Sequence, residues 1–259
     1  MTAAGVILAA PTSGAGKTTL SMGLMRAFTR SGLRVAPAKI GPDYIDPRFH
    51  DAATGRTSVN LDGWAMRPEV LDGLISELSR GADLVVVEGV MGLFDGSPAM
   101  GACDAGSTAD LAARTGWPVI LVVDTARQAQ SVAALVQGFR DFRSDVAVAG
   151  AILNRVGSDR HAAVLKESLA GIGMPVLGAV PRESGVERPS RHLGLEQADE
   201  DPDLSEYLNR LADVVDRTVD LEAVRALARP SPISAPPFVA LPPLGGRIAV
   251  ARDAAFSFL

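Results

Sequence analysis

The stretch Pro11-Thr12-Ser13-Gly14-Ala15-Gly16-Lys17-Thr18-Thr19 constrains this chain more than any other, because it joins a short apolar run, GVILAA, to an amphipathic one beginning at Leu20. A glycine-rich turn between a strand and a helix lets successive backbone N–H groups curl around an anion, and the helix start adds its positive end. Lys17 supplies a point charge to β and γ phosphates and the Thr18 hydroxyl can ligate Mg2+. Ser13, Gly14, Ala15, Gly16 and Thr19 complete the cradle, so a nucleoside triphosphate is the expected ligand. The first glycine of the usual GxxxxGK(S/T) pattern is replaced by Pro11, which leaves the Gly-Lys-Thr end of the motif intact.

The remainder of the chain repeats that opening. Apolar runs RVAPAK, DLVVVEG, PVILVVD, AVAGAILN and PVLGAV alternate with helical patterns such as Leu20 to Thr29 and Pro68 to Ser79. Runs apolar at nearly every position suit burial between two helical layers. The expected fold is therefore α/β, a P-loop NTPase with a mostly parallel sheet and helices on both faces. Ligands of such sheets lie beyond the carboxyl ends of the strands, which makes the residues just after each run the candidates for function.

At the second strand end stands Lys39-Ile40-Gly41-Pro42-Asp43-Tyr44-Ile45-Asp46-Pro47. Its prolines and glycine predict a rigid loop that sets a lysine, two carboxylates and a phenol beside the phosphate loop, able to hold metal and substrate. In DLVVVEGVMGLFDG, Glu88 closes an otherwise apolar run. A buried carboxylate is costly unless it is paired or metal-bound, so Glu88 is a candidate Mg2+ ligand, the alternative being a hydrogen-bonded strand terminus. Gly89, Gly92 and Gly96 let the following loop approach a ligand. Further strand ends carry Asp124, read either as part of the nucleotide site or as a helix N-cap before Ala126 to Phe139, and Arg127, which could bind a carboxylate. They also carry Asn154, whose amide could read the edge of adenine, and Pro181. His50, His161 and His192 show no ligand spacing, and nothing is assigned to them.

Charge and composition narrow the function classes. Lys and Arg number 25 against 30 Asp and Glu, a net charge of −5, which argues against nucleic acid as the main partner. Cys103 is the single cysteine, so an internal disulfide is impossible and a reducing cytoplasm fits. The longest apolar run, Trp117 to Val123, falls far short of the roughly 18 residues of a membrane span, and no basic segment precedes the first apolar run as in a secretion signal. Six of 17 prolines fall between Pro230 and Pro243, which reads as a linker, and Ile248 to Ala251 then start a fresh strand pattern.

Together, APTSGAGKTT, KIGPDYIDP, VEGVMGLFDG, VVDT, AILNR and the proline-rich stretch before RIAVARDAAFSF resemble the cobyrinic or hydrogenobyrinic acid a,c-diamide synthase family of cobalamin biosynthesis, across essentially the whole chain. The DYIDP and EGVMGLFDG loops are the specific parts. The phosphate loop is shared with dethiobiotin synthetase and many ATPases. The resemblance implies an ATP-dependent synthetase domain over residues 1–228, a linker over 229–246 and, at 247–259, the opening of a glutamine amidotransferase domain whose nucleophile, histidine and glutamate have no counterpart here. It further implies a corrinoid substrate and acyl phosphate chemistry. The nitrogen would come from glutamine or ammonia through a glutaminase domain of the same or another chain, and a homodimer is conceivable. On that reading Lys17, Lys39 and Mg2+ held by Thr18, Glu88 and Asp46 or Asp43 carry phosphoryl transfer, while Tyr44 and Ile45 line the mouth where the corrin arrives. The competing reading is a nucleotide-switched positioning ATPase of the same superfamily. The additional lysine of that class is replaced by Thr12, which counts against it.

Overall fold

The computed structural model describes residues 3–182, 198–236, 242, 243, 245–251 and 253. In chain order the elements are β1 (Ala4–Ala9), α1 (Lys17–Arg30), β2 (Val35–Ile40), α2 (Asp46–Thr54), β3 (Val59–Leu61), α3 (Pro68–Leu78), β4 (Leu84–Glu88), α4 (Thr108–Thr115) and β5 (Val119–Asp124). There follow α5 (Val132–Asp141), β6 (Val148–Val156), α6 (Asp159–Ala170), β7 (Val176–Pro181), α7 (Leu204–Thr218), α8 (Leu221–Leu227) and β8 (Arg229–Pro230). Seven strands run parallel in the order β3-β2-β4-β1-β5-β6-β7.

Side chains alternate across the sheet with period two, as a strand buried on both faces requires. Ile7, Ala9, Val85, Val87, Leu121 and Val123 face the layer built from α3, α4, α5 and α6. Val6, Leu8, Leu84, Val86, Ile120 and Val122 face the layer built from α1, α2, α7 and α8. At roughly 1.5–3 kcal/mol per buried aliphatic side chain, these two faces supply most of the driving force for folding and hold the central strands between the helical layers. The sheet order reverses at β1, whose neighbours are β4 and β5, and the phosphate loop leaves β1 at that switch point.

Four elements differ from expectation. The acidic loop is shorter than its prolines suggest: Lys39 and Ile40 still belong to β2, and Asp46 opens α2, with Pro47 tolerated in the first turn. The short edge strand β3 has too few residues to show a period. Asp124 does not cap α5; its Oδ1 accepts from the Ala126 amide at 2.9 Å in a turn, and the helix starts at Val132. Residues 247–251 form no strand, since a strand needs a partner and Ile248 and Val250 are exposed.

The proline-rich stretch begins on the domain itself. Arg229 and Pro230 pair antiparallel with Gly5 and Ala4, Ile233 packs against the core, and the Ala235 amide donates to Ser76 Oγ at 3.1 Å. Residues 237–241 and most of 252–259 lie outside the described residues, as does His192.

Candidate nucleotide site

Gly14 and Gly16 have φ of 77° and 95°, a region costly for any residue with a Cβ, and they turn the loop so that α1 starts without a side-chain cap. The first intrahelical bond runs from the Leu20 amide to the Gly16 carbonyl at 3.1 Å, which leaves the amides ahead of it for a ligand. The loop is braced from β6: Asn154 Nδ2 donates to the Ala15 carbonyl at 2.8 Å and Arg155 Nη1 to the Gly14 carbonyl at 3.0 Å. A Cβ at Gly16 would strike the Asn154 amide, a second reason for glycine there.

Beside this loop lies a buried charge cluster. Glu88, at the end of β4, is 0% exposed. Its Oε1 accepts from Thr18 Oγ1 and from Lys39 Nζ at 2.9 Å, and its Oε2 lies 2.8 Å from His50 Nε2. Burial alone would raise the Glu88 carboxyl, but Lys39 and the bonds from His50 and Thr18 prevail and hold it well below the usual carboxylate range. Lys39 also donates to Asp46 Oδ2 at 2.6 Å; burial works against its charge, yet Glu88 and Asp46 win and raise the ammonium above the ordinary lysine value. Asp46 goes the other way. Burial and the neighbouring Glu88 charge push it up to about 6 in spite of Lys39.

Asp43 and Asp46 divide their tasks. Asp43 Oδ1 accepts from the amides of Ile45 and Asp46 at 2.8 and 3.0 Å, starting α2, and its other oxygen is 3.8 Å from Lys39. Asp46 Oδ2 lies 3.5 Å from Thr18 Oγ1. Thr18, Asp46 and Glu88 therefore present hard oxygen atoms side by side next to the phosphate loop. Among the described residues no group of three His, Cys, Asp or Glu could hold a metal alone. That donor set fits Mg2+, which takes one or two carboxylates and completes its shell with water and phosphate oxygens.

Lys17 Nζ donates to the Met91 carbonyl at 2.6 Å, and burial draws its ammonium below the usual lysine range. Met91 has a φ of 45°, unusual for a residue with a side chain, which aims that carbonyl at the loop.

Ser13, Gly14, Gly16, Lys17, Thr18, Thr19, Lys39, Asp43, Asp46 and Glu88 line one cavity of about 330 Å3. Asn154 and Pro181 line a second, of about 540 Å3, on the far side of Gly16 and Thr19. The Asn154 amide is partly engaged, since its Oδ1 accepts from the Arg155 amide at 3.0 Å while Nδ2 braces the loop. Arg127 is exposed and lines that second cavity, not the phosphate cavity. Ile45 is partly buried and packs against the core layer of α1 and α2, whereas Tyr44 is 52% exposed.

His50 carries no metal-ligand signal in the sequence, because the three histidines lack ligand spacing. The usable signal was its position four residues after Asp46, one helical turn on α2, legible only once Asp46 is known to open that helix.

A family model describing the CobQ/CobB/MinD/ParA nucleotide binding domain matches residues 6–195. Among curated relatives, a hydrogenobyrinate a,c-diamide synthase of Brucella ovis is 54% identical over 98% of this chain and 58% of its own length. Proteins of the same name from Rhodobacter capsulatus and Mesorhizobium japonicum are 51% and 49% identical, over 98% and 100% of this chain and 58% and 59% of their own lengths. The chain thus spans less than two thirds of the relatives it matches. A strand-to-helix phosphate loop at the sheet's switch point, flanked by lysines and carboxylates and matched across more than half the chain, places this protein in the CobQ/CobB/MinD/ParA nucleotide binding domain family.

Proposed function

We propose that this chain is the synthetase part of a hydrogenobyrinate a,c-diamide synthase, a C–N ligase of cobalamin biosynthesis that uses ATP to activate the a and c acetate groups of the corrin acid. The observation that carries the reading is the buried cluster of Lys39, Asp46, Glu88 and Thr18 set against Lys17 and the phosphate loop. The names of relatives at 49–54% identity support the substrate.

In this reading a carboxylate oxygen of the substrate attacks the γ phosphorus of ATP and ADP departs. Ammonia then adds to the carbonyl carbon of the acyl phosphate, inorganic phosphate leaves with the activated oxygen, and the nitrogen loses a proton to leave the amide. Lys17 neutralises the β and γ phosphates once it exchanges the Met91 carbonyl for phosphate oxygen. Lys39, its charge secured by two carboxylates, faces the transferred phosphoryl group, and Thr18, Asp46 and Glu88 would hold Mg2+. Mg2+, when bound, would neutralise charge building on the phosphate oxygens. The amides of residues 14–19 orient the triphosphate, while Asn154 and Pro181 border the space for the base. The protein does little covalent chemistry; it positions and neutralises.

Residues 1–228 would form the synthetase domain and 229–246 the passage toward a glutaminase domain that supplies ammonia from glutamine. The test is ADP release by the purified chain with ATP, Mg2+, ammonium and hydrogenobyrinic acid. Turnover that needs the corrin acid and yields its mono- and diamide supports the reading. Turnover indifferent to corrin and stimulated by a partner protein overturns it in favour of a positioning ATPase.

A further inference from the structure

A third cavity, of about 460 Å3, opens beside the phosphate cavity and is walled by Gly41, Trp64, Val90, Met91, Ala105 and Gly106, among others. It shares Val90 and Met91 with the phosphate cavity, so a molecule with one arm at the γ phosphate has room for its body here.

Trp64 dominates the wall. It is 48% exposed, yet its one polar side-chain atom is satisfied: Nε1 donates to the Ala99 carbonyl at 3.1 Å. What remains uncovered is ring carbon. The backbone that carries the ring is fixed as well, because the Trp64 amide donates to Asp62 Oδ1 at 3.0 Å and its carbonyl accepts from the Ala102 amide at 2.6 Å. A Cβ at Gly101 would collide with the Trp64 backbone, so the loop beneath must carry glycine to pack this closely. Across the opening stands Met91, 54% exposed, a flexible and polarisable side chain that adapts to a flat ligand. A rigid, half-exposed indole with no unsatisfied hydrogen-bond donor is an apolar plate, and exposed plates of this kind mark binding surfaces.

We propose that Trp64 and Met91 are the specificity-determining wall against which the macrocycle of the substrate lies, so that the chain selects polycarboxylates carried on a ring over open-chain ones. The proposal rests on the corrin-amidating reading and assigns the ring its seat. One edge of the ring enters between Trp64 and Met91, and the acetate arm on that edge passes over Val90 and Met91 to the phosphate cavity. In the ligand-free chain Lys17 is tied to the same loop through the Met91 carbonyl, so the ring wall and the phosphate anchor meet at one loop.

The test measures retention of hydrogenobyrinic acid by the full chain in ultrafiltration, read by the corrin's visible absorbance, with ADP affinity as a check on the fold. Wild type should bind the corrin acid in the presence of ADP and Mg2+, and tricarballylate, an open-chain tricarboxylate, should not compete. Trp64→Ala should weaken corrin binding roughly 10-fold or more, as removal of a central aromatic anchor does, with ADP affinity unchanged. Trp64→Phe should restore most of it. Ala105→Leu, which fills the cavity and leaves its aromatic wall in place, should weaken binding too, and it keeps the proposal testable if Trp64→Ala does not fold. Corrin binding by wild type that survives both Trp64→Ala and Ala105→Leu overturns the wall and leaves the functional reading standing. A wild-type chain that binds no corrin acid overturns the reading and the wall together.

Discussion

Two adjacent strands, β2 and β4, carry an ion pair at each end, and the two pairs could hardly differ more. At the amino ends, Arg34 and Asp83 are 62% and 33% exposed by side chain. Asp83 accepts from the Arg34 amide, Nε and Nη2 at 2.8, 3.0 and 2.7 Å. At the carboxyl ends, Lys39 and Glu88 are 6% and 0% exposed and 2.9 Å apart. The parallel register matches Val35 with Leu84 and Lys39 with Glu88, so one pairing of strands sets both. Exposed pairs contribute little because water solvates the separated charges nearly as well. Buried pairs must overcome desolvation, and well-packed apolar residues in their place are often as stable. The outer pair thus belongs to the fold, and the inner one makes sense as a site.

That contrast breaks most sharply at Glu88. Glu88→Gln keeps the shape and removes the charge, so on the proposed function corrin-dependent ADP release should fall by about 100-fold or more, the scale seen when groups around a reacting phosphate or metal are lost. Circular dichroism should be unchanged. Activity near wild type would take Glu88 out of the site. Lys39→Ala should act on stability as well as turnover. It leaves a wholly buried carboxylate with His50 and Thr18 alone, and loss of one partner of a buried pair costs about 3–5 kcal/mol. Urea denaturation checks this, and an unchanged midpoint would mean that water reaches Glu88.

How much of this could be read from the sequence follows the same division. The phosphate loop and the strands were legible because their signals are local: GAGKTT sits between an apolar run and a helix, and LVVVE and VILVVD are too uniformly apolar for a one-sided sheet. Lys39, Asp46 and Glu88 could be singled out as charges at strand ends. What stayed hidden depends on where an element starts. The prolines of GPDYIDP suggested a loop to its end, whereas Asp46 opens α2, and with that helix out of view His50 had no reason to be paired with Glu88. Ile45 is read from its loop and Arg127 from its strand end; the first packs against the core layer of α1 and α2, and the second lines the cavity beyond Gly16.

A pH experiment sharpens the comparison at a smaller scale, because the two carboxylates of the cluster respond with opposite sign. Asp46 is raised to about 6 by burial and by Glu88, so its folded form takes up a proton before the unfolded chain does, and the ligand-free protein carries a cost above pH 6 that disappears as pH falls. Glu88 is held below its ordinary value; its contribution is complete above the usual carboxylate range and is lost as pH falls below that range toward the lower folded value. Asp46→Asn should therefore melt higher than wild type at pH 7, with the gap closing by about pH 4, near the ordinary aspartate value. A gap independent of pH would show that the Asp46 charge is already compensated by Lys39.

The smallest effect is expected at the outer end. Arg34→Ala removes an exposed guanidinium from Asp83, whose carboxyl is lowered chiefly by the hydrogen bonds from the Arg34 side chain and backbone. The backbone bond from residue 34 survives the substitution, so only the side-chain part is lost. The thermal midpoint should fall far less than in Lys39→Ala, and the difference from wild type should fade in salt of about 1 M, where the screening length shrinks to about 3 Å. It should fade also on acidification: a carboxyl lowered in the folded state gives its stability above the ordinary carboxylate range and loses it as pH falls below. Lys39→Ala, enclosed from solvent, should keep its deficit in the same salt. If salt rescued both variants alike, the inner pair would be a solvated surface contact, and the distinction drawn between the two ends of these strands would fail.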